Sequence, residues 1–249
     1  MLLNSFFDHI YVITLQRAIN RQQQIKMDLN GLNYTFFFGA DKNDFNMETL
    51  KETGVYNEAF AIKNHRYKKP MRDGQLGCSW SHRMVYEDML AKGYTKVLIL
   101  EDDVKLNTDF LHIFPTAMAE LPADWELLYL DYAKNENRNI FKRTRQFWYH
   151  VQRFFGALNR THKTIRNLYP RPFSEHTKLA GYHDYTDAYA ISSQAAGKLL
   201  KLQTPIQFVA DNLLAHACTN ELIKGFIITQ KIFSQHSQST NPKDSFVNE

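Results

Sequence analysis

The sequence predicts an α/β fold, in which helices cover a central β-sheet. Short apolar segments of strand length alternate along the chain with longer segments of helical periodicity. The chain has 249 residues, of which 44% are apolar, and this is enough for a sizeable core in one large domain. Acidic residues directly follow the apolar segment at 97–100. Because ligands of open α/β sheets bind at the carboxyl ends of strands, these residues indicate where a site would lie.

The predicted elements alternate in chain order. Aliphatic and aromatic runs bounded by polar residues or glycine predict strands at 9–15, 34–38, 96–100, 126–131, 188–192 and 225–229. Helical spacing of apolar residues predicts helices at 16–29, 75–92, 110–120, 193–202 and 210–222. In the second of these helices Cys78, Val85 and Met89 share one face, and Gly93 ends it. The stretch between the second strand and this helix is predicted to be irregular, and residues 234–249 to be a polar tail.

Composition excludes several classes of protein. The longest apolar runs are far shorter than the roughly 20 residues of a membrane span, and no secretory segment opens the sequence. We therefore expect a cytoplasmic protein in which Cys78 and Cys218 are small core residues with free thiols. The net charge of +4 is uneven, because residues 138–178 contain ten lysines and arginines and one acidic residue, Glu175. That segment carries +9, which leaves −5 for the rest of the chain.

The most informative segment is LILEDDV at 98–104, where a predicted buried strand ends in three carboxylates. Adjacent carboxylates repel each other and are costly to desolvate, so such a strand end holds a cation or faces water. Glu101, Asp102 and Asp103 offer the hard oxygen ligands that Mg²⁺ and Mn²⁺ prefer. These ions commonly complete their shell with substrate phosphates, so a diphosphate ligand is expected. An ordinary acidic turn is the alternative.

Further polar residues are predicted at the same edge of the sheet. Arg17 and Arg21 lie four positions apart after the first strand, so on a helix they would project from one face and could bind phosphate. A solvated surface is the alternative for this pair. Asp41 follows the second strand and could accept a hydrogen bond from a ribose or base, or it is a turn residue.

Six blocks of the sequence resemble glycosyltransferase family 25, the lipooligosaccharide galactosyltransferase family. They cover most of the chain in the family's order: YVITLQR (11–17), GQLGCSWSH (74–82), LILEDDV (98–104), TDAYAIS (186–192), AAGKLL (195–200) and PIQFVAD (205–211). The resemblance implies a single GT-A-type catalytic domain over residues 1–233, with a mixed, mostly parallel sheet. It also implies transfer of a sugar, usually galactose from UDP-galactose, to a lipooligosaccharide or other glycan with inversion at the anomeric carbon.

The resemblance assigns roles to the strand-end residues. Asp103 would hold Mn²⁺ or Mg²⁺ against the departing UDP, with Asp102 as a further ligand. His236, which follows the last predicted strand, could complete the metal shell, as a C-terminal histidine does in several GT-A enzymes, although family 25 does not reliably have histidine there. The residues expected to bind the nucleotide-sugar donor are Thr14, Arg17, Arg21, Asp41, Ser81, His82, Glu101, Asp102 and Asp103. A surface position is the alternative for His236, and packing beneath the donor is the alternative for Ser81 and His82.

Inversion by single displacement also requires a base for the acceptor hydroxyl. Asp211 opens a predicted helix and matches the family's aspartate after the proline block, so it is the first candidate, followed by Asp187 and Asp184. A helix N-cap is the alternative role for Asp211. Tyr185 stands where the family often has glycine, so acceptor recognition is expected to differ.

Two other classes of function compete with this interpretation. A metal-dependent phosphohydrolase acting on a nucleotide or sugar phosphate could use the same carboxylates, but the sequence offers no convincing second cluster of ligands. A nucleic-acid-binding module would suit the basic segment, but the acidic strand edge would repel a polyanion. We therefore expect no nucleic-acid partner.

The basic segment at 138–178 is predicted to be an insert in the catalytic domain. Its aromatic and aliphatic residues recur at helical spacing with arginines nearby: Phe147, Val151, Phe154 and Leu158, with Arg143, Arg145 and Arg153. The pattern is typical of an interfacial helix on the anionic cytoplasmic face of the inner membrane, where a lipid-linked acceptor would lie. A stripe packed on the catalytic domain, or an acceptor lid, is the alternative.

Overall fold

The computed structural model describes residues 2–65, 67–158 and 160–236. These residues form ten strands: β1 His9–Thr14, β2 Thr35–Phe38, β3 Lys96–Glu101, β4 Val104–Leu106, β5 Leu127–Tyr129, β6 Arg171–Pro172, β7 Thr177–Leu179, β8 Ala188–Ser192, β9 Gly225–Ile228 and β10 Phe233–Gln235. Eight of them form a central sheet in the order β2-β1-β3-β8-β5-β9-β7-β6. The other two, β4 and β10, form a separate antiparallel pair.

The strand directions place several chain segments at one edge of this sheet. Strand β1 is parallel to β2 and β3, and β5 is parallel to β9. Strands β8 and β7 are antiparallel to their neighbours, so they run against the other six strands. The sheet is therefore mixed and mostly parallel, as the sequence predicts. The carboxyl ends of β1, β2 and β3 meet the amino end of β8.

Helices cover both faces of the sheet. Those in the described residues are α1 Ile19–Asp28, α2 Met47–Glu52, α3 Glu58–Asn64, α4 Asp73–Ala91, α5 Phe114–Glu120, α6 Ile140–Phe154, α7 His162–Arg166, α8 Ser193–Leu202 and α9 Ala210–Thr219. Because side chains alternate along a strand, Ile10 and Val12 of β1 pack with residues of α1 and α5 on one face. Tyr11 and Ile13 pack with residues of α4, α8 and α9 on the other face. The core is thus divided into two layers by the sheet.

Several elements differ from their prediction. The stretch predicted to be irregular contains α2 and α3, because Asn46 and Asn57 cap them through side-chain oxygens that accept from the backbone N–H groups of Thr49 and Phe60. Helix α1 begins at Ile19 because a turn precedes it, in which the Ala18 N–H donates to the Leu15 carbonyl.

Two consequences concern predicted site residues and the chain end. Since Arg17 precedes α1, the prediction that Arg17 and Arg21 share one helical face is wrong. Ser234 and Gln235, predicted to belong to a polar tail, lie in β10, and residues 237–249 lie outside the described residues. No helix within the described ranges combines the length and apolar character that crossing a membrane requires.

Candidate functional site

A cleft of about 330 Å³ lies at the carboxyl ends of β1, β2 and β3. Thr14 ends β1 and Glu101 ends β3, and Asp187 immediately precedes β8. The backbone N–H of Glu101 donates to the carbonyl of Asp187 at 2.8 Å, which ties the two strand ends together. The topology thereby brings side chains that are distant in sequence into one cleft.

The cleft contains all but two of the predicted site residues. Its lining includes Thr14, Arg17, Arg21, Asp41, Ser81, His82, Glu101, Asp102, Asp103, Asp187 and Asp211. The exceptions are His236 and Asp184, the third candidate base. Cys78, predicted to be a core residue, is half-buried and also lines the cleft.

Three carboxylates converge in this cleft. One oxygen each of Glu101, Asp103 and Asp187 lie within 4.8 Å of one another. Asp103 Oδ1 and Asp187 Oδ2 are buried and accept no hydrogen bond from the described residues. Burial and the neighbouring charge of Glu101 raise the pKa of Asp103 to about 7, and the same two causes raise the pKa of Asp187 well above its ordinary value. A cation would relieve both the burial and the repulsion.

The chemistry of this cluster fits a magnesium or manganese ion. All three donors are carboxylates, which are hard oxygen ligands, and two of them have an oxygen without a partner among the described residues. Without a cation, Asp103 and Asp187 repel neighbouring carboxylates when ionised, and their pKa values are raised for this reason as well as by burial. Glu101, Asp103 and Asp187 are therefore the residues that would hold a divalent ion.

This set differs from the predicted ligands Asp103, Asp102 and His236. Asp102 accepts hydrogen bonds from Thr14 Oγ1 at 2.6 Å and from Arg21 Nη1 at 2.8 Å, so its oxygens are already engaged. The His236 ring contacts Asp28 Oδ2 at 2.7 Å, and the His236 backbone N–H donates to the Asp103 carbonyl at 2.8 Å. The geometry favours Glu101 and Asp187 in place of Asp102 and His236.

A chain of buried hydrogen bonds from Tyr86 through Tyr189 and His82 ends at Glu101 and orients its carboxylate. The hydroxyls of Tyr86 and Tyr189 lie 2.9 Å apart, and the Tyr189 hydroxyl lies 2.7 Å from His82 Nδ1. His82 Nε2 lies 3.3 Å from Glu101 Oε1, which also accepts from Thr186 Oγ1 at 2.6 Å. With His82 Nε2 protonated, each hydroxyl or ring N–H of this chain can donate to the next group in the direction of the Glu101 carboxylate. Burial alone would raise the pKa of Glu101, but the contacts with His82 and Thr186 outweigh it and lower that pKa.

Ser81 links α4 to the loop after β2 through two hydrogen bonds. Its Oγ donates to the Gly77 carbonyl at 2.7 Å and accepts from the Ala40 N–H at 2.9 Å. A Cβ on Gly77 would lie 2.7 Å from the Ala40 carbonyl oxygen, so this close approach requires glycine. Ser81 and His82 are thus engaged by the protein, which favours packing beneath a ligand over direct contact with a nucleotide.

The two arginines of the cleft pair with acidic side chains. Arg21 lies 3.6 Å from Asp103 Oδ2 as well as bonding to Asp102, and Arg17 Nε donates to Asp41. Asp41 also accepts from the Asn43 N–H at 3.1 Å. Burial opposes ionisation of Asp41, but the hydrogen bonds from Arg17 and the Asn43 N–H, together with the charges of Arg17 and Lys42, lower the pKa of that carboxyl overall. Positive charge therefore borders the acidic cluster.

Asp211 lies in the first turn of α9 without capping it. The N-cap is Val209, and Asp211 Oδ1 accepts from the adjacent Asn212 N–H at 2.6 Å. Burial and the nearby charge of Asp184 raise the pKa of Asp211 to about 6. Of the three candidate bases, Asp184 is paired with Lys134 and Asp187 belongs to the acidic cluster. Asp211 lines the cleft and belongs to neither.

Among the cleft residues outside the predicted donor, metal and base sets, three have a contact or a conformation that bears on the site. Thr186 bonds to Glu101, and Gln235 Nε2 donates to Asp103 Oδ2 at 3.2 Å from the unpredicted strand β10. Tyr185 has a φ of 77°, in the left-handed region that favours glycine, and its side chain lines the cleft. The departure from the family's glycine at this position was the signal for Tyr185. Thr186 and Gln235 carried no such signal.

Comparison with known proteins agrees with the sequence blocks. The model of "Glycosyltransferase family 25 (LPS biosynthesis protein)" matches residues 7–214. A "Glycosyltransferase 25 family member" of Aedes aegypti is 29% identical over 198 residues, which cover 78% of this chain and 28% of that protein. An "Inactive glycosyltransferase 25 family member 3" of Homo sapiens is 26% identical over 137 residues, covering 50% and 22%.

The name of a third relative specifies the sugar that it transfers. The "Procollagen galactosyltransferase 1" of Danio rerio is 21% identical over 207 residues, which cover 79% of this chain and 29% of that protein. The chain thus spans less than a third of the length of these relatives. The family match covers most of the chain, and the sheet is mixed and mostly parallel with helices on both faces, as predicted from the sequence. The chain belongs to glycosyltransferase family 25.

Proposed function

We propose that this chain is an inverting, divalent-metal-dependent glycosyltransferase that transfers galactose from UDP-galactose to a glycan acceptor. The family's description as an LPS biosynthesis protein supports lipooligosaccharide as the acceptor class, and the name of the Danio rerio relative supports galactose. The observation that carries the proposal is the convergence of Glu101, Asp103 and Asp187 in the cleft, with unpartnered oxygens on two of them.

Glu101, Asp103 and Asp187 would hold Mn²⁺ or Mg²⁺, which when bound supplies Lewis-acid stabilisation of the leaving diphosphate. Arg21 offsets part of the negative charge of Asp102 and Asp103, so the cleft repels an anionic donor less strongly. Thr186 and His82 occupy Glu101 Oε1, which fixes the orientation of that carboxylate. These contacts hold the cluster in place before the donor arrives.

Asp211 would act as the base. As the acceptor oxygen attacks the anomeric carbon, its proton passes to the Asp211 carboxylate, the bond from that carbon to the UDP oxygen breaks, and UDP leaves. A pKa of about 6 leaves Asp211 ionised at neutral pH yet basic enough to accept a proton. Inversion follows because attack and departure occur on opposite sides of the anomeric carbon.

The test is an incubation with UDP-galactose, Mn²⁺ and a soluble glucoside or N-acetylglucosaminide acceptor. We expect a β-galactoside, identified by mass spectrometry and by the anomeric coupling in its NMR spectrum. Release of UDP or phosphate without a glycoside would instead favour the phosphohydrolase. Because one relative is named as inactive, turnover by this chain is the decisive measurement. Absence of both turnover and UDP binding would contradict the proposal.

A further inference from the structure

Helix α6 turns its apolar side chains away from the domain. Six large apolar residues at this helix and its C-terminal end are between 57% and 80% exposed: Ile140, Phe141, Phe147, Trp148, Phe154 and Phe155. At 100° per residue these positions fall on one side of the helix. Contiguous exposed apolar surface of this kind marks an interaction site on a folded domain.

The opposite, polar side of α6 packs against the protein. Gln146 is 4% exposed, and its Nε2 donates to the Arg166 carbonyl at the end of α7 at 2.8 Å. Arg145 Nε donates to the Tyr169 hydroxyl at 2.8 Å, and the rings of His150 and His162 stack at 5.2 Å. An amphipathic helix of a globular domain normally packs the other way round. The alternative in which the aromatic stripe packs on the catalytic domain is therefore not observed.

Basic residues accompany this exposed face. Arg143 of α6 is exposed and lies next to Phe154 at 100° per residue, and no acidic side chain in the described part of the chain forms an ion pair with it. The surrounding segment, residues 138–178, carries a local charge of +9. Aromatic residues on one side of a helix and arginines beside them are typical of helices that lie in the interface of an anionic bilayer.

We propose that α6 is a membrane-interface helix, which docks the protein on anionic lipid with its aromatic face among the headgroups. A second copy of the chain would suit this surface less well. In a symmetric dimer the same face meets itself, so two copies of the basic segment at 138–178, each with a local charge of +9, would approach each other and repel. The inference stands on the geometry of α6 and does not depend on the proposed transfer reaction.

Trp148 provides a direct readout of binding. It is 57% exposed, whereas Trp125 is 4% exposed and Trp80 is half-buried, so the emission of Trp148 should change most when α6 enters the headgroup region. With vesicles containing phosphatidylglycerol we expect a blue shift and quenching by brominated lipid. Pure phosphatidylcholine vesicles should give neither. The change should disappear in Trp148→Phe.

Variants separate the apolar and charged contributions. Phe147→Ser with Phe154→Ser should weaken vesicle binding by at least about 100-fold, since each ring loses its transfer into the interface. Arg143→Gln should weaken it about fivefold and reduce its dependence on salt. The matched controls are Phe60→Ser, which removes an exposed aromatic elsewhere, and Lys105→Gln, which removes an exposed charge elsewhere. Both controls should bind like the unaltered chain.

Other outcomes would overturn the inference. Equal binding to neutral vesicles, or no binding to anionic ones, would contradict it. So would a concentration-dependent dimer, seen by analytical ultracentrifugation, that the two phenylalanine substitutions abolish while vesicles fail to bind. Transfer to a soluble acceptor should be unchanged in all α6 variants. Asp103→Asn should bind vesicles normally, so failure of docking and failure of the proposed reaction can be told apart.

Discussion

The cleft and helix α6 distribute charge and apolar surface in opposite ways. In the cleft, the carboxylates of Asp103 and Asp187 are buried beside each other. In α6, aromatic rings such as Phe154 face solvent and the amide of Gln146 is buried. Each arrangement is costly in the free protein, one by desolvating like charges and the other by hydrating apolar surface. We infer that each is maintained for a partner, a cation in the cleft and a lipid surface at α6.

The largest effect is expected from removing the central charge of the acidic cluster. Asp103→Asn keeps the shape of the side chain but removes a charged ligand, so transfer should fall by about 10³-fold or more, and EDTA should have a reversible effect of the same kind. Steady-state transfer assays measure both. Asp109→Asn, at an exposed position, is the control. Full activity after exhaustive removal of metal would contradict this prediction.

Removing the proposed base should have the next largest effect. Asp211→Asn should lower kcat by about 10²-fold while leaving the affinity for UDP largely unchanged. In the unaltered chain kcat/KM should fall as pH drops below about 6, because protonated Asp211 cannot accept the acceptor's proton. Near-normal turnover of Asp211→Asn would transfer the role to Asp187 or Asp184.

The same substitution should stabilise the fold. The pKa of Asp211 is raised from 3.8 to about 6 in the folded protein, so folding favours its protonated form. That contribution is present below about pH 4, and it is lost as pH rises through about 6. Asp211→Asn should therefore raise the free energy of unfolding by about 3 kcal/mol above pH 6 and change it little below pH 4. Denaturant unfolding at both pH values measures this, and a gain confined to acid pH would contradict it.

A smaller effect on metal binding is expected from breaking the hydrogen-bond chain that ends at Glu101. Tyr189→Phe leaves His82 Nδ1 without its hydroxyl partner and loosens Glu101, so Mn²⁺ affinity should fall by about tenfold. Tyr94→Phe is the control, because Tyr94 precedes β3 at the end opposite the cleft. A purely structural role would lower the melting temperature of Tyr189→Phe without changing its Mn²⁺ affinity.

The smallest effect is expected at α6. Phe154 is 80% exposed, so Phe154→Ala should change the free energy of unfolding by less than about 0.5 kcal/mol. Phe114 is fully buried in the core, and Phe114→Ala should cost about 3–5 kcal/mol. Comparable losses at the two positions would mean that the aromatic face of α6 packs on the domain.

The cleft could be predicted from the sequence because few alternatives exist at the edge of a parallel sheet. Residues that follow β1, β2 and β3 must meet there, so Thr14, Asp41 and Glu101 were correctly placed together. The direction of each side chain was harder to predict. Asp102 and Asp103 are adjacent, yet one bonds to Arg21 and Thr14 and the other joins Asp187, which arrives from the antiparallel strand β8. Sequence spacing holds no information on that choice.

Helix α6 shows a second limit. Its periodicity predicts an amphipathic helix, but periodicity describes which residues share a face and not which face meets the domain. Here the deciding contacts come from Gln146, Arg145 and His150, which reach partners on and near α7. Short helices with side-chain caps were missed for another reason. Helices α2 and α3 are capped by Asn46 and Asn57, but they lack the long apolar period by which helices were predicted.

The most direct test of the central claim is a Mn²⁺ titration in the presence of UDP, with free Mn²⁺ followed by electron paramagnetic resonance. We predict stoichiometric binding by the unaltered chain and affinities at least about 100-fold weaker for Asp103→Asn and Asp187→Asn. Asp102→Asn should lose less Mn²⁺ affinity, because the Asp102 carboxylate already accepts hydrogen bonds from Arg21 and Thr14. Unchanged affinity in Asp103→Asn and Asp187→Asn, or the largest loss in Asp102→Asn, would contradict a cation site formed by Glu101, Asp103 and Asp187.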